Sequence, residues 1–167
     1  MVAKRTHRCG DVRGEDAGQR VVLQGWAHFV RDKSQVIFIV LRDRSGQVQI
    51  TVDETCSAEL VSTAREVRLE YTLEVHGELR RRDPAAVNPD MATGEVEVHA
   101  TGLRILSKTK PLPFNIGSKS KKTISEEVRL KYRYLDLRQP HLQRSMAIRH
   151  KAALFTRTYL DKLGFYE

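Results

Sequence analysis

Residues Phe29 to Ile50 read FVRDKSQVIFIVLRDRSGQVQI. The centre, Val36 to Leu41 (VIFIVL), is an apolar run of strand length, and Gln47 to Val52 (QVQITV) alternates polar and apolar residues with period two. Ser45-Gly46 offers a turn between them. Two such runs joined by a short glycine-containing turn predict a hairpin. Charge crowds its ends, Arg31-Asp32 before the apolar run and Arg42-Asp43-Arg44 after it, while Phe38 stands in the middle. Because successive strand side chains point to opposite faces, Phe38 belongs either to a core or to a surface suited to a flat ligand. For a lone strand aromatic the core is the commoner place.

Upstream, Val21 to Val30 (VVLQGWAHFV) completes a three-stranded meander. Downstream, SAELVSTAREV (Ser57 to Val67) sets Leu60, Ala64 and Val67 at helical spacing behind Ser57, an N-cap candidate. Two more strands are predicted, Tyr71 to Leu79 (YTLEVHGEL) and Glu95 to Leu106 with a break near Gly102. A Pro/Asn-containing loop from Asp83 to Gly94 separates them. The order strand, strand, strand, helix, strand, strand is that of a mainly β protein, a five-stranded OB-fold barrel whose strands 2 and 3 present a face for oligonucleotides; other small barrels share the order. The predicted barrel covers residues 1–107, with Trp26, the only tryptophan, read as core.

From Ser107 to Lys122 the composition changes to SKTKPLPFNIGSKSKK, which predicts a basic linker or exposed loop within a hinge over 108–139. SEEVRLKYRYLDLR then begins with Ser125, Glu126 and Glu127, a helix-start signature. Pro140 opens a longer helix to about Leu163, with Leu142, Met146, Ala153, Leu160 and Leu163 on one side and Gly164 as its stop. That last segment, 140–167, carries an apolar side with almost nothing after it to pack on.

The chain has 167 residues, 40% of them apolar, enough for a core. No apolar run approaches the roughly 18 residues that cross a membrane, and Met1-Val2-Ala3-Lys4-Arg5 has no apolar stretch behind it, so a soluble, unprocessed chain is expected. Cys9 and Cys56 form no paired motif and the six histidines are scattered singly. Neither a metal site nor a disulfide framework is suggested, and a reducing cytoplasm is the expected compartment. Of the net charge of +8, residues 1–107 contribute −1 (15 basic against 16 acidic) and residues 108–167 contribute +9 (14 against 5). Such asymmetry favours a polyanionic partner, nucleic acid first, with an acidic surface of another domain as the alternative.

Five stretches stand in one order: RTHRCGDV near the start, GWAHFVRD (Gly25 to Asp32), FIVLRDRSGQVQ (Phe38 to Gln49), NPDMATGEVEV (Asn88 to Val98) and RLKYRYLDLR (Arg129 to Arg138). Together they resemble the N-terminal part of bacterial-type aspartyl-tRNA synthetases, which are class II enzymes, and the resemblance covers nearly the whole chain. It implies an OB-fold that reads the tRNA anticodon, then a hinge, then a catalytic antiparallel sheet whose motif 1 begins with a long helix at a homodimer interface. RSMAIRHKAALFTRTYLDKLGFYE resembles that helix. ATP, Mg²⁺ and L-aspartate would be handled by parts of the parent beyond it, so no catalytic residue is expected here. The resemblance implies that the 167 residues alone bind an anticodon stem-loop weakly and form no aspartyl-adenylate.

Single-stranded RNA is read by splaying bases out, stacking them on aromatic rings and bonding their edges. The family places an aromatic under the central anticodon base, and Phe38 falls at that position; such stacking contributes roughly 1–3 kcal/mol. Gln49 can donate and accept at once, which suits uracil. Arg31, Arg68, Arg80 and Arg82 are candidates for phosphate and base-edge contacts, although a single arginine is more often a solvated charge. Asn88 and Glu97 fall where the family reads the outer anticodon positions, Glu97 as an acceptor for a cytosine amino group. Lys119, Lys121 and Lys122 are further phosphate candidates. Asp32 is expected to orient Arg31, and Asp43 to orient Arg42 or Arg44 at the barrel rim. RLKYRYLDLR reads either as RNA binding through interleaved arginine and tyrosine or as a hinge with Tyr132, Leu135 and Leu137 packed; the resemblance favours the hinge.

The sequence departs from the family at Phe29-Val30, where basic residues are common, at Lys33-Ser34-Gln35, where a glycine-containing turn is common, and at Ala86, where asparagine is common. These departures bear on anticodon reading, and so on strict aspartate specificity against a relaxed enzyme that also charges tRNA for asparagine. A sister synthetase for asparagine or lysine and a free-standing, non-catalytic OB-fold RNA or single-stranded DNA binder remain as alternatives.

Overall fold

The computed structural model describes residues 2–116 and 124–166. The chain divides into two compact units, Met1–Lys110 and Pro111–Glu167.

In the first unit β1 (Arg20–Lys33), β2 (Val36–Arg42) and β3 (Gln47–Val52) form the meander; α1 (Ala58–Glu66), β4 (Thr72–Arg81) and β5 (Val96–Ser107) follow. The strands close into a barrel in the order β1-β2-β3-β5-β4, all antiparallel except β3 with β5. One face of each strand fills it: Leu23, Ile39, Leu41, Ile50, Leu73 and Leu79 are fully buried. Leu60, Ala64 and Val67 of the α1 segment join this core, and Ser57 caps α1 by accepting from the Leu60 N–H at 3.3 Å. β5 is continuous through the predicted break; the irregularity there is a bulge in which His76 pairs with Gly102 and Gly77 with Ala100, leaving Thr101 extra.

Trp26 is not core. Val21, Leu23 and Ala27 take the inward positions of β1, so Trp26 lies half-buried on the outer face, under the Arg42 guanidinium at 5.8 Å. Arg42 Nη2 in turn donates to both carboxylate oxygens of the buried Glu70, at 2.8 and 2.9 Å, and its Nη1 lies 2.8 Å from His28 Nδ1.

The second unit begins with a small cluster in which Phe114, Ile116 and Leu135 are buried and Tyr132 and Val128 pack beside them. Ser125 caps α2 (Glu126–Lys131), accepting from the Val128 N–H, and the chain breaks at Tyr132 (φ −109°, ψ 42°) before α3 (Arg133–Asp136). Two of the three arginines of RLKYRYLDLR serve Asp136, which is fully buried: Arg129 Nε donates to it at 3.1 Å and Arg133 Nη1 at 2.5 Å, joined by Gln139 Nε2 at 2.7 Å. α4 (Pro140–Lys162) buries none of its side chains and stops at Gly164, whose φ of +82° allows the Gly164 N–H to reach Asp161 O and the Phe165 N–H to reach Leu160 O. Among the described residues no helix is long and apolar enough to cross a membrane.

Candidate nucleic-acid interface

On the first unit, the outer faces of β1, β2 and β3 and the loop joining β4 to β5 surround an open groove of about 580 Å³. Strand alternation builds its floor. With Ile37, Ile39 and Leu41 inward, β2 turns Val36, Phe38 and Val40 outward; with Val48, Ile50 and Val52 inward, β3 turns out Gln49 and Thr51, and Asp53, just past its end, lines the groove beside them. Phe38 is therefore half-buried in the groove and not in the core.

β1 reaches the same groove through a defect in its ladder. Ala27 pairs with Leu41 and Phe29 with Val40, so His28 is an extra residue and the alternation reverses beyond it. Phe29, Arg31 and Lys33 consequently line the groove, with the Arg31 guanidinium 5.4 Å from the Phe29 ring. Cross-strand pairing then sets two rows. Arg31, Phe38, Thr51 and His99 are successive partners, as are Phe29, Val40, Gln49 and Glu97.

The β4–β5 loop forms the far wall. Asn88 N–H donates to Gly94 O at 3.1 Å, Gly94 N–H to Met91 O at 2.9 Å, and the Asn88 side-chain oxygen accepts from Asp90 N–H at 3.0 Å. A Cβ on Gly94 would stand 1.8 Å from Asn88 O, so this closure requires glycine. At the loop's base Arg82 Nε donates to Val96 O at 3.0 Å and lies 3.9 Å from Glu97, whose Oε2 accepts from Gln49 Nε2 at 2.9 Å. Burial lowers the Arg82 guanidinium from its ordinary range and the Glu97 charge opposes that shift, yet arginine stays charged. Two polar atoms in this lining, Thr51 Oγ1 and Arg82 Nη2, are buried without a hydrogen-bond partner among the described residues.

The groove thus gathers Arg31, Phe38, Gln49, Arg82, Asn88 and Glu97. Arg68 and Arg80 do not line it: Arg68 Nη1 donates to Arg65 O and Val67 O at the end of α1, and Arg80 lies 3.8 Å from Glu78. Lys119, Lys121 and Lys122 lie outside the described residues. Asp32 contacts Arg65 at 3.8 Å and accepts from Ser34 N–H, where orientation of Arg31 was expected. Asp43 likewise serves neither Arg42 nor Arg44; it accepts from Cys9 N–H and Ser45 and lies 3.7 Å from Arg5. Phe29, Lys33 and Thr51 are additional lining residues. Thr51 was readable two places beyond Gln49 on one strand face, whereas Phe29 depends on a bulge that no local pattern announces. Ala86, one of the departures from the family, also borders the groove.

Residues 21–106 match the family model of the OB-fold nucleic acid binding domain, and residues 125–167 match that of the tRNA synthetases class II (D, K and N). The chain is 48% identical over 163 residues to an aspartate–tRNA ligase of Halalkalibacterium halodurans, a match that covers 98% of this chain and 27% of the relative. It is 45% identical over 164 residues to an aspartate–tRNA(Asp/Asn) ligase of Natranaerobius thermophilus, covering 98% of this chain and 28% of that one. The chain therefore spans little more than a quarter of the length of these relatives. Among solved structures, the aspartyl-tRNA synthetase of Entamoeba histolytica superposes with a TM-score of 0.85 at 21% identity, over 97% of this chain and 38% of that one, a likeness of fold.

Proposed function

We propose, on the premise that this chain belongs to the OB-fold nucleic acid binding family, that its groove holds the anticodon loop of a tRNA as the recognition part of an aspartate–tRNA ligase. The observation that carries this is the outward-facing Phe38 beside two buried, unpartnered polar atoms, Thr51 Oγ1 and Arg82 Nη2. A buried polar group without a partner costs about 1–3 kcal/mol, and a nucleobase stacked on Phe38 would supply edge atoms to such groups while Gln49 and Glu97 offer a donor and acceptors beside it. Arg31 and Lys33 stand on the flank open to a phosphate backbone.

In this reading residues 1–107 recognise RNA, 108–139 form the hinge and 140–167 begin the catalytic domain, whose first helix would contribute to a homodimer. L-aspartate, ATP and Mg²⁺ would be handled by that catalytic domain, in the cytoplasm. Arg68, Arg80, Lys119, Lys121 and Lys122 would act at most on phosphates away from the groove. Fluorescence anisotropy with labelled stem-loops tests the central claim. Phe38→Ala is expected to weaken the loop bearing the aspartate anticodon by roughly 1–3 kcal/mol and to leave a scrambled loop nearly unchanged; equal losses on both would remove the stacking role. The same titration with the asparagine anticodon separates strict from relaxed recognition, the two kinds of name that the relatives carry.

A further inference from the structure

At the edge of the groove, which Asp53 also lines, β3 ends at Val52 and the chain turns through Asp53 to Cys56 into α1. Parallel pairing of β3 on β5 sets Thr51 opposite His99 and brings the imidazole, 43 residues away from Cys56 in sequence, into that turn. His99 Nε2 lies 3.2 Å from each Asp53 carboxylate oxygen, 3.2 Å from Thr55 Oγ1 and 3.9 Å from Cys56 Sγ. Cys56 Sγ is itself 3.8 Å from Asp53 Oδ1. The His99 and Asp53 side chains are only 12% and 26% exposed.

Cysteine, histidine and aspartate together invite comparison with a nucleophile and its base, but the geometry argues against it. A relay sets the imidazole between acid and thiol, one ring nitrogen for each. Here carboxylate, hydroxyl and thiol all converge on the same nitrogen, which carries at most one hydrogen. Donor atoms that converge on one point are the arrangement of a coordination sphere. Metal–ligand distances of about 2.0–2.3 Å in a tetrahedral zinc site place neighbouring donor atoms roughly 3.3–3.6 Å apart, so the observed 3.2 to 3.9 Å needs adjustments of only tenths of an ångström.

We infer that Asp53, Cys56 and His99 form a binding site for a divalent ion of the zinc class. One thiolate, one imidazole and one carboxylate are the ligand set such ions favour over magnesium or calcium. Thiolate and carboxylate neutralise the double charge, so the partly buried site closes without net charge. Binding releases the Cys56 thiol proton to solvent, and a water takes the fourth position, while the Thr55 hydroxyl donates to Asp53 Oδ1 and orients that carboxylate. The bound ion would clip the β3–α1 turn onto β5, and it requires nothing of the RNA reading.

Cobalt(II) titration of the tag-free chain tests it. One equivalent is expected to give a thiolate-to-cobalt charge-transfer band with tetrahedral visible bands, displaced by zinc. Cys9→Ser should keep the signal, while Cys56→Ser should lose the charge-transfer band and His99→Gln should weaken or abolish the site. A folded wild-type chain without the band overturns the proposal, and so does a band that survives Cys56→Ser.

Discussion

At the scale of the residue, Thr51 and Phe38 are cross-strand partners with different costs. Phe38 exposes part of a ring that could have been buried; Thr51 hides a hydroxyl that could have been hydrated. Thr51→Val keeps the shape and removes the unpartnered hydroxyl. It is expected to raise the denaturation midpoint, up to the ~1–3 kcal/mol cost of an unmet hydrogen bond, while lowering affinity for the anticodon loop. Chemical denaturation and anisotropy on the same preparation check both signs, and a variant that gains in both would detach Thr51 from recognition. Trp26 carries a different lesson: a lone tryptophan in a strand looks like core, yet its place between the buried Gly25 and Ala27 of β1 puts it outside, where Arg42 covers its face. Residue type suggested burial, and strand phase overruled it.

At the scale of the element, β1 and the β4–β5 loop bend ideal geometry to serve the groove. The extra residue at His28 turns Phe29, Arg31 and Lys33 outward, and the environment of His28 holds the bulge in place. The loop depends on Gly94, where an added methyl would meet backbone oxygen that cannot move without opening the Asn88–Gly94 bond. Gly94→Ala is expected to destabilise the first unit by about 1–3 kcal/mol, the usual cost of overpacking. It should also weaken loop binding by displacing Asn88 and Met91 from the wall. Thermal denaturation and anisotropy measure the two effects. The helical elements followed their local signals more closely: Ser57 and Ser125 cap where their spacing says, and Gly164 ends α4. Of RLKYRYLDLR, read either as RNA binding or as a hinge, the structure shows Arg129 and Arg133 paired with the buried Asp136.

At the scale of the whole molecule, Glu74, Asp43 and His28 in the first unit contribute to how stability responds to pH. Burial alone would raise Glu74, but hydrogen bonds from His76, Gln24 and Ala3 N–H and the Arg104 charge hold it below its ordinary value. Burial would also raise Asp43, and bonds from Ser45, Cys9 N–H and Gly46 N–H outweigh it. His28 is lowered by burial and by Arg42, against Glu70. In all three cases the unfolded chain takes up protons first. Their contribution is complete above the unfolded values and is lost as pH falls, His28 from its ordinary 6.5 downward and the carboxylates from 4.5 and 3.8 downward. The guanidinium midpoint is expected to fall steadily from about pH 7 to about pH 4, with a shallower acidic limb in Glu74→Gln. A flat profile would contradict this.

The succession of strands and helix along the chain, the alternation of β3 and the helix caps were legible in the chain, because alternation and capping act over a few residues; the unbroken apolar run of β2 left the face of Phe38 open. Phe38, Gln49 and Glu97 could be chosen as a set only through the family resemblance; their meeting in one groove follows from the pairing of β3 with β5. The same pairing brings Cys56 to His99, which spacing along the chain had kept apart as two isolated residues. The bulge at His28, the placement of Arg82 beneath Glu97 and the position of Trp26 outside the core belong with these. Each depends on the register between segments distant in sequence, and register is settled only when the closed barrel packs its inward faces together, a condition that no local pattern expresses.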